Sequence, residues 1–173
     1  MTEQFGFHTN VDGCIIFVQL NPFDKEVLQK YCATIQEPNC YVEIGTDEGG
    51  SALVAKGATK QPIYTIDIRK KYNFVDPQIN FITDRSEEVA SKWDKPIGVL
   101  FIDGNHTEAK QDFLAWEKYV VSGGYILFHD YIPDETFSVI RDCDELFFDN
   151  PNYELIYRPL GFNNTRIFII KKK

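Results

Sequence analysis

The segment Val42-Glu43-Ile44-Gly45-Thr46-Asp47-Glu48-Gly49-Gly50-Ser51, followed by Tyr64-Thr65-Ile66-Asp67, decides how this chain folds. A short apolar strand runs into a glycine-rich turn and a helix, and a carboxylate ends the next strand 22 residues after Gly45. An α/β sheet holds a nucleoside in this way: the glycines let the backbone approach the ligand, and the carboxylate accepts hydrogen bonds from the two ribose hydroxyls. A dinucleotide fingerprint, G-x-G-x-x-G, would seat a pyrophosphate on the helix N-terminus. Here the order is G-x-x-x-G-G with Glu43 in front, and an acid at that place repels pyrophosphate and attracts a cation.

Outward from this segment, short β-branched runs alternate with stretches of helical spacing. Strands are expected at residues 41–45, 63–68, 79–83, 97–103 and 124–129, and helices at 51–59, 86–93, 107–121 and 135–148. The third of these helices should bury Phe113, Trp116 and Val120, and the fourth Val139, Ile140, Cys143 and Phe147. About ten residues separate the second and third strands. A parallel crossover with a helix needs roughly a dozen, so a loop is expected there instead.

Residues 14–20 read as one short strand, and residues 1–20 receive no role. Asn21-Pro22 then reads as an N-cap with proline at the first helical position, opening a helix whose apolar stripe is Phe23, Val27, Leu28, Tyr31 and Ile35. At the other end, residues 153–158 and 166–171, joined by a turn at 161–164, are expected to pair as a hairpin. Together these give an α/β fold: a Rossmann-like, doubly wound, mostly parallel sheet of about seven strands with helices on both faces and a C-terminal antiparallel hairpin. A length of 173 residues suits a single domain, with 1–38 as an N-terminal strand and helix and 39–173 as the core.

Composition narrows the function classes. Hydrophobic content of 43% and aromatic content of 14% exclude a disordered chain. Eighteen Lys and Arg against 26 Asp and Glu leave a net charge of -8, which disfavours nucleic acid as a partner because phosphate neutralisation needs a local surplus of cations. A small neutral or cationic substrate fits better. Cys14, Cys32, Cys40 and Cys143 form no C-x-x-C pair and read as thiols of a reducing compartment. The longest apolar run, 14–18, is far below a membrane span, and no signal peptide is visible, so a cytoplasmic protein with no membrane partner is expected.

Ligands of open parallel sheets bind beyond the carboxyl ends of the strands, near the point where strand order reverses. The residues at and past the end of each expected strand are therefore the candidates for contact with a ligand: Glu43, Gly45, Thr46, Gly49, Gly50 and Ser51, then Asp67 with Ile68, then Asp84 and Arg85, then Asp103 and His106, then His129, Asp130 and Tyr131. Asp103 and the His129-Asp130 pair follow strands that should be neighbours, about 4.8 Å apart. Such a convergence suits a divalent metal. Oxygen ligands favour magnesium, and the imidazole leaves manganese, iron or zinc open. A metal there would lower the pKa of a substrate hydroxyl. His106 is placed to act as a general base.

The segments Val42-Glu43-Ile44-Gly45 with Gly49-Gly50-Ser51, Phe101-Ile102-Asp103-Gly104 with His106, and Gly123-Gly124-Tyr125 with His129-Asp130-Tyr131 together resemble the class I S-adenosylmethionine-dependent methyltransferases. Within that class they look like the small bacterial family of macrocin O-methyltransferase-like proteins, over about residues 40–131. The resemblance implies that Gly45 and Asp67 hold S-adenosylmethionine, that Asp103 and Asp130 bind magnesium, and that His106 is the base. It also implies a single in-line displacement onto an oxygen of a small molecule or sugar. The chain departs from the pattern at His129, where macrocin-type members carry glutamate. Imidazole is a poor magnesium ligand.

Two other readings stay open on the residues alone. His106, His129 and a carboxylate would make the facial triad of a non-haem metal oxygenase. A non-catalytic relative would keep the nucleoside site and lose the chemistry. A homodimer is expected from the small size and open pocket.

Overall fold

Along the strand Cys40–Ile44 every residue is buried, because successive side chains enter two different cores. Tyr41 packs into one core and Val42 and Ile44 into the other. Both faces of the sheet are thus covered, as a parallel sheet requires. The computed structural model describes residues 6–11, 13–134, 136–160 and 164–173.

In chain order the elements are β1 (Phe7–Val11), β2 (Cys14–Val18), α1 (Pro22–Cys32), β3 (Cys40–Ile44), α2 (Gly50–Lys56), β4 (Ile63–Asp67), β5 (Ile79–Thr83) and α3 (Ser86–Ala90). They continue with β6 (Ile97–Ile102), α4 (Ala109–Trp116), β7 (Val120–Phe128), α5 (Val139–Phe147), β8 (Tyr153–Tyr157) and β9 (Phe168–Lys172). A seven-stranded sheet has the order β5-β4-β3-β6-β7-β9-β8, and β9 runs antiparallel to both its neighbours. Helices α1 and α2 cover one face through Leu28, Tyr31, Ala52 and Ala55; α4 and α5 cover the other through Phe113, Trp116, Val139 and Cys143. Strand order reverses between β3 and β6, which opens a crevice at their carboxyl ends.

Several boundaries differ from those expected. The helix placed at 107–121 is α4 at Ala109–Trp116, followed by a 3-10 turn at Glu117–Tyr119. Asn105 Oδ1 accepts from the Thr107 amide and hydroxyl, which holds its start in a turn. Val120 lies in β7, paired with Ile97, rather than on a helix face. Helices expected at 51–59 and 86–93 are shorter, at Gly50–Lys56 and Ser86–Ala90. The helix expected from residue 135 starts at Val139, because Asp134 holds the Thr136 amide in a turn; Glu135 lies outside the described residues. The loop expected between β4 and β5 is found, and its Tyr72 and Phe74 pack on Phe81.

At the N-terminus the expected strand is β2, but it pairs with an unanticipated β1 in a separate hairpin. Phe23, assigned to the buried stripe of α1, is 50% exposed, and the residue sealed in its stead is Asp24. The C-terminal hairpin forms as expected, while residues 161–163 of its turn lie outside the described residues. No helix among the described residues is long and apolar enough to cross a membrane.

Candidate active site

The crevice at the ends of β3 and β6 is a cleft of about 670 Å³, within the ordinary size of a small-molecule site. Its floor depends on Gly45. That residue has φ +100°, and a Cβ there would stand 2.2 Å from the Asp103 carbonyl oxygen, so only glycine lets the ends of β3 and β6 come this close. The turn continues through Asp47, also at positive φ, to Gly49, whose φ of +85° caps α2.

Thr46, Gly50, Ser51, Asp67, Ile68, Asp84 and Arg85 line one side of the cleft with Gly45. Asp67 is held by two backbone amides: Asp47 N–H donates to Oδ2 at 3.0 Å and Arg69 N–H to Oδ1 at 2.9 Å. Its carboxylate is therefore fixed at the strand end before any ligand arrives. Glu43 and Gly49, both expected to contact a ligand, do not line the cleft. Glu43 is fully buried beneath it and accepts from Thr65 Oγ1 at 2.7 Å and Tyr41 OH at 2.8 Å. Burial raises its pKa to about 7, against these bonds and one from Ser51. It braces the turn from below, through Thr65 and the Thr46 hydroxyl 2.7 Å beyond.

On the other side stand Asp103, His106, His129 and Asp130. Asp130 follows β7 with φ +50°, an unusual conformation for a side-chain-bearing residue, and it turns back toward β6. His106 Nε2 lies 3.4 Å from Asp130 Oδ2, and the His106 ring packs on Phe137 at 4.2 Å between centroids. His129 is only 3% exposed; its Nδ1 is 2.9 Å from Asp103 Oδ1 and its Nε2 3.3 Å from Asp24 Oδ2. Burial favours the neutral ring, yet Asp103 and Asp130 outweigh it and raise the His129 pKa well above the ordinary value. Burial likewise opposes ionisation of Asp130, but His129, Arg166 and His106 hold its carboxyl well below the usual range.

The facial triad of the alternative reading is not assembled among the described residues. His106 faces Asp130, while His129 is committed to Asp103 and Asp24. Among the described residues, the one group able to bring three ligand atoms together is Asp103, His129 and Asp130.

Sequence reasoning missed several residues. Phe17, Gln19 and Leu20 of the N-terminal segment line the cleft, and Glu48 Oε2 accepts from the Phe17 amide at 2.9 Å. Asp112, on α4, lines it too, its pKa pushed up to about 6 by burial. Arg166 forms part of the wall, and Asp24 lies behind it. Arg166 belongs to no local motif, and Asp24 carries only the capping-box signal of Asn21-x-x-Asp24, which says nothing of the cleft.

Comparison with known proteins places these features in context. A family model described as a methyltransferase domain matches residues 42–131. An uncharacterized protein of Acanthamoeba polyphaga mimivirus is 32% identical over 127 residues, covering 61% of this chain and 58% of its own length. The chain thus spans little more than half of that relative. Among solved structures, an O-methyltransferase from Bacillus cereus in complex with SAH aligns with TM-score 0.72 at 18% identity, over 89% of this chain and 82% of that one. The O-methyltransferase TomG from Streptomyces achromogenes, involved in tomaymycin synthesis and solved in complex with SAM, aligns with TM-score 0.70 at 15% identity, over 86% and 78%. At such identities the likeness is one of fold.

Proposed function

The chain belongs to the methyltransferase-domain family, and from that premise we propose that it transfers a methyl group from S-adenosylmethionine to an oxygen of a small molecule or sugar. The observation that carries this reading is one cleft with two unlike ends: the amide-held carboxylate of Asp67 at one, and the His106–Asp130 pair at the other. The structures similar in fold that were solved with SAM or SAH support the choice of donor.

When bound, S-adenosylmethionine supplies an electrophilic methyl on a sulfonium leaving group. The chain's own contribution is orientation and a proton acceptor. Asp67, at the end of β4, would hold the ribose hydroxyls, and Gly45 would let the donor lie against backbone. Asp130, kept ionised by its cationic neighbours, stands with Oδ2 3.4 Å from His106 Nε2, an ion-pair contact that favours the proton on that nitrogen. Nδ1 is then the basic atom, which takes the acceptor's hydroxyl proton as the oxygen–methyl bond forms. The pairing also fixes the ring against Phe137, which keeps reacting groups in register.

The net charge of -8 supports a small acceptor over RNA. The test is transfer of radiolabelled methyl from S-adenosylmethionine into a panel of hydroxylated small molecules and sugars, with structured RNA as comparison. Label in an ether of a small acceptor is expected. Label in RNA alone would contradict the proposed acceptor class.

A further inference from the structure

Asp103, His129 and Asp130 are the donors a divalent cation would use, with one ligand atom of each within 4.8 Å of the others. Each already has a protein partner. Both ring nitrogens of His129 face carboxylates, Nδ1 toward Asp103 and Nε2 toward Asp24, so no ring lone pair is left aimed at the shared point. Asp130 Oδ1 stands 2.9 Å from a terminal guanidinium nitrogen of Arg166, and Oδ2 faces His106 and His129.

Arg166 is itself built in. Its Nε lies 3.5 Å from Asp24 Oδ2, and its amide and the Thr165 hydroxyl donate to Asp24 Oδ1 at 2.7 and 2.8 Å. Asp24 is 0% exposed, and its other backbone contact closes the cap of α1. A guanidinium stays charged at all working pH values, so it repels a dication from the carboxylate it covers. Asp24 and Arg166 both lie outside the segment 42–131 that the family model matches. The donor set therefore does not fit a metal here, and the misfit comes from this chain's own N-terminal helix and C-terminal hairpin.

We propose that the acceptor end of the cleft works without a divalent metal, its cation being the Arg166 guanidinium that Asp24 and Asp130 hold at the cleft wall. The role toward a methyl acceptor rests on the methyl-transfer reading; the exclusion of metal does not. Arg166 lines the cleft, as His106 does. Asp24 is a positioning residue that acts through Arg166 and His129.

The test uses Mn2+ as the probe, since its free-ion electron paramagnetic resonance signal falls on binding. The wild-type protein is expected to leave that signal unchanged, and its affinity for S-adenosylhomocysteine should be the same with EDTA as with excess Mg2+. Arg166→Met, which strips the cation from Asp24 and Asp130, should gain a Mn2+ site, and Arg166→Lys should not. One equivalent of Mn2+ bound by the wild type and lost in Asp130→Asn would overturn the proposal. So would a folded Arg166→Met that still excludes Mn2+, because Arg166 would then not be the excluding cation. If Arg166→Met fails to fold, the wild-type titration decides alone. Failure to bind S-adenosylhomocysteine would count against the methyl-transfer reading and leave the metal result standing.

Discussion

His106 Nε2 lies 3.4 Å from Asp130 Oδ2, joining the turn after β6 to the end of β7 across the mouth of the cleft. General-base assistance, the role proposed for His106, contributes roughly 10²- to 10⁴-fold to a rate. His106→Ala is therefore expected to lower kcat by that order while the affinity for S-adenosylhomocysteine stays close to wild type. Steady-state kinetics paired with calorimetry checks it; equal losses in both would instead mark His106 as a donor-binding residue.

Glu43 gives a pH-dependent prediction. Its pKa rises from 4.5 to about 7 on folding because of burial, so the folded state holds the proton more tightly than the unfolded chain. The resulting stabilisation is fully present below about pH 4.5 and is lost as pH rises through about 7. Glu43→Gln keeps an acceptor for Thr65 and removes the titration. Relative to wild type, the variant should gain stability between pH 5 and pH 8, by up to roughly 3 kcal/mol. Denaturant unfolding at the two pH values measures it, and a difference that does not move with pH would contradict the assignment.

At Gly45 the constraint is steric. A Cβ would meet the Asp103 carbonyl oxygen at 2.2 Å from a backbone already at φ +100°. Gly45→Ala should cost roughly 2–4 kcal/mol in stability and remove donor binding. Thermal unfolding and ligand titration of the purified variant check both effects.

Much of this was legible from residues close together in the sequence. The strand-turn-helix at 42–51 and the carboxylate at 67 are local patterns, and alternating elements fix which strand ends share a crevice. The floor of the cleft was legible; its back wall was not. Asp24 reaches His129 across 105 residues and Arg166 across 142, and a buried carboxylate leaves no periodicity of its own. The apolar period in fact favoured its neighbour Phe23. Glu43 was read as facing a ligand because of its place beside the glycine turn, but in β3 its side chain points below the sheet, to Tyr41 and Thr65. The hairpin β1–β2 had one signal that was passed over, the Asp12-Gly13 pair between two short β-like runs.

The back wall leads to a stability prediction. Asp24, itself sealed from solvent, accepts from the Arg166 amide, the Thr165 hydroxyl and the Asn21 amide while facing the His129 and Arg166 side chains. Removing one partner of such a cluster leaves buried charge uncompensated, and Asp24→Ala should cost roughly 3–5 kcal/mol. Denaturant titration checks this. A loss below about 1 kcal/mol would show the cluster to be as weak as an exposed ion pair.

The most direct test of the central claim is calorimetric titration of the wild-type chain and Asp67→Ala with S-adenosylhomocysteine. Saturable one-to-one binding in the wild type, weakened at least about tenfold in the variant by loss of charged hydrogen bonds to the ribose, is the predicted result. Absence of binding in the wild type, or equal affinity in both proteins, would contradict a methyl-donor site at the end of β4.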